Sequence, residues 1–307
     1  MGANPTPPAK ASVQRSTNTA IGALAWSPDG SAIVTGCWDG AHIWDTAGSH
    51  RLHYSGHQSI TAVAWSPNGR SIASAGADNK IHLWDAVTGA LQFEYCQHHQ
   101  TITSVAWSPD GTRIVSGGFD NGAQVWDVDS GDLLLTYRGQ ASPVWFISTL
   151  VWSPSGALIA SCCGDEFALV WDPHNGKTLL TYQHFTNWVR QIAWAPDNQR
   201  LVSTSDDTIH LWDITTGTNR LTYHGHTIGK SFAGPLVHVR ALAWSPDGRR
   251  IASACGEQVL LWNPITGETH DEHRTASGTI TSLAWSPDGA LLACGSGSNT
   301  LELWQPS

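Results

Sequence analysis

The sequence predicts an all-β fold: a seven-bladed β-propeller of four-stranded antiparallel blades, closed by an N-terminal strand that pairs with the last blade. Three observations carry that expectation. The string "AWSPDG" or a close variant recurs seven times, opening at Ala25, Ala64, Ala106, Val151, Ala193, Ala243 and Ala284. Of the 17 tryptophans, seven lie in that string and seven more follow 18 or 19 residues later. Between the strings, short apolar–polar alternations are separated by Pro, Asp, Asn and Gly. From Trp26 to Trp285 the period runs 39, 42, 45, 42, 50 and 41 residues, and a period of this size means one supersecondary unit repeated.

The elements follow in chain order. Residues 1–8, with Pro5, Pro7 and Pro8, read as a stiff linker. Residues 9–17 read as the closing strand. The last repeat stops at its third strand, "LELW", and an unpaired edge there would recruit other chains. Blades are expected at 20–56, 60–97, 102–139, 147–184, 189–225, 239–274 and 280–304, within one domain spanning 9–307. The third shows the pattern: "ITSVAWS" alternates, "PDGT" turns, "RIVSGG" alternates, "FDNG" turns, "AQVWD" alternates, "VDSG" turns and "DLLLTY" closes. Length alone, at 307 residues, suggests about two domains, but a closed ring of seven such units is one.

The recurring string is scaffold rather than chemistry. Pro28, Asp29 and Gly30 supply what a tight turn needs: a fixed φ, a side chain that bonds its own backbone and freedom at positive φ. The Trp before them is a large plug for packing between blades. A catalytic string would be needed once, not seven times.

Composition excludes several function classes. A net charge of −9, with 16 basic residues, argues against nucleic acid or an anionic membrane surface, because both require clustered Lys and Arg. No run of about 18 apolar residues is present, and the first residues lack the apolar core of a secretory signal, so a cytoplasmic location without membrane insertion is expected. Cys37, Cys162, Cys255 and Cys294 end the same short apolar segment in four repeats and read as small core residues. No cofactor, metal or catalytic residue is expected.

The chain resembles the WD-repeat family, of bacterial type. The letters that carry the resemblance are "IWD" at Ile43, "LWD" at Leu83 and Leu211, "VWD" at Val125 and Val170, and the pairs Gly56-His57 and Gly225-His226. It covers nearly the whole chain and is specific for fold but almost silent on function. It implies a polar set within each blade: a His before the first strand, a Ser or Thr in the second, an Asp in the next turn and a Trp in the third. Two repeats match in full, with His57, Ser74, Asp78 and Trp84, and with His99, Ser116, Asp120 and Trp126. The set resembles a hydrolase triad but reads as structural, satisfying buried polar groups. The other repeats depart from it: Gln140 and Phe185 stand near the His position in the fourth and fifth, Glu257 near the Asp position in the sixth, and Cys294 and Asn299 in the seventh. In bacterial members with such similar repeats, the propeller is often joined to a kinase or NTPase domain.

Function then lies in departures from the repeat. The loops before the first strands and the turns carrying the Asp share one end of the propeller, its top. Insertions fall there, before Trp152 and before Trp244, the longer one being "TIGKSFAGPLVHV". Trp38, Phe119, Trp145, Phe146, Trp188 and Phe232 fall on that same face. Turns do not require aromatics, and aromatics anchor interfaces. Two arrangements fit: a ring of rings that binds a partner, or rings packed on their own loops and plugging the channel mouth. His42, His82 and His210 read as polar groups between blades. The expected function is a non-catalytic, monomeric platform that binds a protein or peptide on its top face, as a recognition or regulatory module of a larger bacterial signalling protein. The alternative is a small-ligand or glycan-binding propeller using the same aromatics.

Overall fold

The computed structural model describes residues 13–306 apart from 58, 121, 140–145, 165, 186, 227–237 and 276–277. Trp145, Phe232, Gln140 and Asp165 therefore lie outside the described residues. The 28 strands of the described residues fall into seven antiparallel four-stranded sheets. Blade one comprises Ile21–Trp26, Ala32–Cys37, Gly40–Asp45 and His50–Tyr54, paired in that order from the channel outward. The innermost strands of the other blades are Ile60–Trp65, Ile102–Trp107, Ile147–Trp152, Val189–Trp194, Val239–Trp244 and Ile280–Trp285. Blade seven completes itself with the start of the chain: Val13–Ser16 pairs antiparallel with Thr300–Trp304, in the register Val13↔Leu303 and Ser16↔Thr300.

Each second strand is buried nearly throughout, because both of its faces pack against neighbouring blades. The core is therefore seven interblade layers. Val34, Ile43 and Tyr54 of blade one meet Ile60, Val63 and Trp84 of blade two. Leu301 and Leu303 of blade seven meet Ile21, Leu24 and Trp26 of blade one.

The repeated residues close these seams. All five tyrosines end outermost strands and stack flat on the next blade's third-strand Trp: Tyr54 on Trp84, Tyr95 on Trp126, Tyr137 on Trp171, Tyr182 on Trp212 and Tyr223 on Trp262, at 4.2–4.6 Å between ring centres. This explains the glycine of the Gly-His pairs. A Cβ on Gly56 or Gly225 would lie 2.1 or 2.0 Å from the hydroxyl oxygen of Tyr54 or Tyr223. On blade six His273 takes the tyrosine's part against Trp304, 5.0 Å away. At the closing seam Trp44 meets His42 and His50 instead.

The Trp of the recurring string plugs between blades and also stitches them. Its indole N–H donates to the backbone carbonyl of the corresponding strand one blade back: Trp26 to Ala284, Trp107 to Ala64, Trp152 to Ala106, Trp194 to Val151 and Trp285 to Ala243, at 2.9–3.3 Å. Trp65 and Trp244 lack that bond. In the turn, Ser27 Oγ donates to Asp29 and accepts from the Ala32 amide, while Gly30 sits at φ 71°.

Candidate interaction surface at the channel mouth

The polar sets lie inside the blades. In blade two Trp84 Nε1 donates to Ser74 Oγ (3.1 Å), Ser74 Oγ lies 2.8 Å from His57 Nε2, and His57 Nδ1 lies 3.1 Å from Asp78. With the carboxylate accepting from Nδ1–H, Nε2 accepts from the serine, so the protons run from Trp toward Asp. Ser74 is 0% exposed, so no substrate reaches its oxygen. This set stabilises the interior of blade two by satisfying buried groups.

Blade three differs from the sequence expectation. His98, not His99, contacts Asp120 (2.7 Å) and Ser116 (2.7 Å), while the His99 backbone N–H bonds the same carboxylate. The reason is register. His57 and His226 both stand three residues beyond the Tyr that ends the preceding outermost strand, and counting from Tyr95 selects His98. Counting back from the downstream Trp misleads because that loop varies in length. Trp126 Nε1 is buried without an acceptor among the described residues, so the third set is shorter than the second.

The departing blades fill the same space by other means. Thr19 Oγ1 donates to Asp39 in blade one, where a His is missing. Phe185 packs edge-on against Tyr182 and tilted on His210 in blade five. His226 keeps its bond to Ser253 in blade six, but its Nδ1 is buried without a hydrogen-bond partner among the described residues. His82 and His210 bond the hydroxyls of Tyr54 and Tyr182 on the preceding blades, so they are polar links between blades.

Two groups of described residues have metal-ligand spacing: Cys37, Asp39 and His42, and His57, Asp78 and His82, each within 4.8 Å. Burial pushes the Cys37 thiol up to about 11, which keeps it protonated and a poor ligand. His57 and Asp78 already bond each other.

The aromatic residues divide. Phe119 follows the second strand of blade three, Phe146 immediately precedes the first strand of blade four and Trp188 that of blade five. Phe119 stacks on Phe146 at 4.6 Å and 20°. Phe146 and Trp188 line one cavity of about 290 Å³ with Thr103, Ser148, Arg190 and Arg240. Three rings thus form an arc over blades three to five at the top of the channel. Trp38, 69% exposed, stands on blade one, where its carbonyl accepts from Ser59 at the edge of blade two. The arc is half-covered: Phe119 is 43% and Trp188 39% exposed.

Sequence reasoning from charge missed Arg190 and Arg240. Both occupy the second residue of an innermost strand, in "VRQIAW" and "VRALAW", where blades two, three, four and seven carry Thr or Ser and blade one carries Gly22. Arg190 lies over the Trp188 ring, 5.8 Å from its centre. His238 is held below the ordinary imidazole value, first by burial and then by the positive charge of Arg190, with Asp206 opposing and Arg240 adding to the lowering.

No curated protein matches the chain. The family model for the WD domain, G-beta repeat, matches at residues 11–45, 48–85, 89–127, 131–172, 176–213, 217–263 and 267–305. Each match joins the outermost strand of one blade to the inner three of the next, so the sequence unit is offset by one strand from the sheet it builds. Propellers of this family generally serve as non-catalytic scaffolds that bind protein partners. With seven matches laid over seven blades, the chain belongs to the WD domain, G-beta repeat family.

Proposed function

We propose that this propeller is a non-catalytic scaffold that binds a protein segment on its top face, and that it is the recognition or regulatory module of a larger bacterial signalling protein. The observation that carries the first part is the arc of Phe119, Phe146 and Trp188 around the channel mouth. Solvent-facing aromatics at a rigid rim supply binding area at little entropic cost. The close likeness of the repeats supports the second part. A glycan or other small ligand is the weaker reading, because a cavity of about 290 Å³ sits at the lower end of small-molecule pockets.

The experiment is quantitative capture from a lysate of the source organism, with identification of what is bound. Trp188→Ala, Phe119→Ala and Trp38→Ala are each expected to weaken capture by ~1–4 kcal/mol while leaving the melting temperature nearly unchanged. Val87→Ser, on an exposed turn at the opposite end, is expected to leave capture intact. Equal capture by all four variants would defeat the reading.

A further inference from the structure

We propose that the channel mouth is a carboxylate pocket: Arg190 and Arg240 receive an acidic side chain of the partner's peptide, with Trp188 and Phe146 covering its flanks. The inference rests on the scaffold reading and assigns its ligand chemistry.

The argument begins with what the mouth offers. At the second residue of the innermost strand, blades two, three, four and seven place Thr61, Thr103, Ser148 and Thr281. Their hydroxyl protons are already spent on backbone carbonyls: Thr103 on Gly117 and Ile147, Ser148 on Cys162 and Val189, Thr281 on Ile21 and Gly295. These hydroxyls present lone pairs, not donors, to the channel. Blades five and six, side by side, replace the hydroxyl with Arg190 and Arg240. Donors are thus concentrated on one side of the mouth and acceptors on the other.

Among the described residues, neither guanidinium forms an ion pair with a carboxylate, and no carboxylate lines the cavity. The carboxylate nearby in the fold, Asp206, lies 3.0 Å from His238 Nδ1 and accepts from Asn187 Nδ2 at 2.9 Å. Arg190 Nε is buried without an acceptor among the described residues. An unmet buried donor is costly, and an oxygen anion supplied by a ligand removes that cost. All this occurs in a chain of net charge −9, so the pair is a local exception to the overall field.

The acceptor side selects the source of the anion. A phosphate presents oxygens in every direction and would set several of them against the hydroxyl lone pairs. A carboxylate on a peptide places its oxygens on the arginines and its neighbouring backbone N–H groups toward those lone pairs. Apolar residues next to the acid would meet Phe146 and Trp188.

The test is calorimetric titration of the full chain with a blocked tripeptide carrying glutamate between two phenylalanines. Its glutamine counterpart and inorganic phosphate serve as the other arms. The glutamate probe is expected to bind ~10-fold or more tightly than the glutamine probe, with affinity falling as salt is raised. Arg240→Ala is exposed enough to fold normally and is expected to lose ~10-fold, as is Arg190→Gln. Equal binding of the two peptide probes, unchanged binding by Arg240→Ala, tighter binding of phosphate, or no binding of either peptide would each overturn the proposal. The scaffold reading fails separately: it falls only if top-face aromatic variants leave partner capture unchanged.

Discussion

Asp78 shows how a single side chain is spent inside a blade. Burial opposes its charge, but the hydrogen bond and charge of His57 prevail and hold its carboxyl below the usual value of 3.8. Asp78→Ala leaves His57 Nδ1 without its acceptor and is expected to cost ~1–2 kcal/mol in denaturant titration. Asp120→Ala should do the same through His98, whereas His99→Ala should cost less, since only the backbone of His99 is engaged. The sequence displayed the residue types of these sets but not which His belongs to blade three. "CQHHQ" offers two candidates a residue apart, and strand register, which depends on where the outermost strand ends, chooses between them.

Among elements, the innermost strands bear two kinds of interblade bond. Trp194→Phe keeps the plug but removes the bond to Val151, and should cost ~0.5–1.5 kcal/mol. Trp65→Phe removes a donor that lacks an acceptor among the described residues, so it should be neutral or mildly stabilising in the same titration. The closing strand is the second element that can be tested. Removing residues 1–17 exposes the edge of Thr300–Trp304 and is expected to lower the melting temperature and shift the chain toward association in size-exclusion chromatography. The strands, the turns and this closure were legible because their period is fixed by backbone geometry. Arg190 and Arg240 were legible in principle, as a change from hydroxyl to guanidinium at one repeat position. An overall charge count conceals such a change, because it averages over the whole surface.

At the scale of the whole molecule, pH acts on the seams together. Burial holds His226 and His210 down to about 4, against 6.5 for a free imidazole. Between those values the unfolded chain binds protons that the folded one refuses, so stability is full above about 6.5 and falls as pH drops toward 4. Lowered carboxylates such as Asp78 and Asp120 add a second loss, as pH falls below 3.8 through their folded values. A plot of unfolding free energy against pH should therefore be flat above about 6.5 and descend in two stages. His226→Gln should shrink the first stage by at most about 3 kcal/mol. The grouping of the aromatic residues was beyond sequence reasoning at this scale. Trp38 and Phe119 occupy the same turn of their blades, and only the order of blades around the ring sets Phe119 in an arc with Phe146 and Trp188 and leaves Trp38 apart.

The pairing of Val13–Ser16 with Thr300–Trp304 also has a history in time. On the ribosome, at ~5–20 residues per second, the early partner waits roughly 15–60 s for the late one. Interblade contacts, by contrast, join strands about one repeat apart and can form within seconds of each other. The ring is therefore expected to grow blade by blade as an open arc and to close in one late step. Slowing translation near Leu301 should lengthen the interval in which the nascent chain is vulnerable to protease at its first strand.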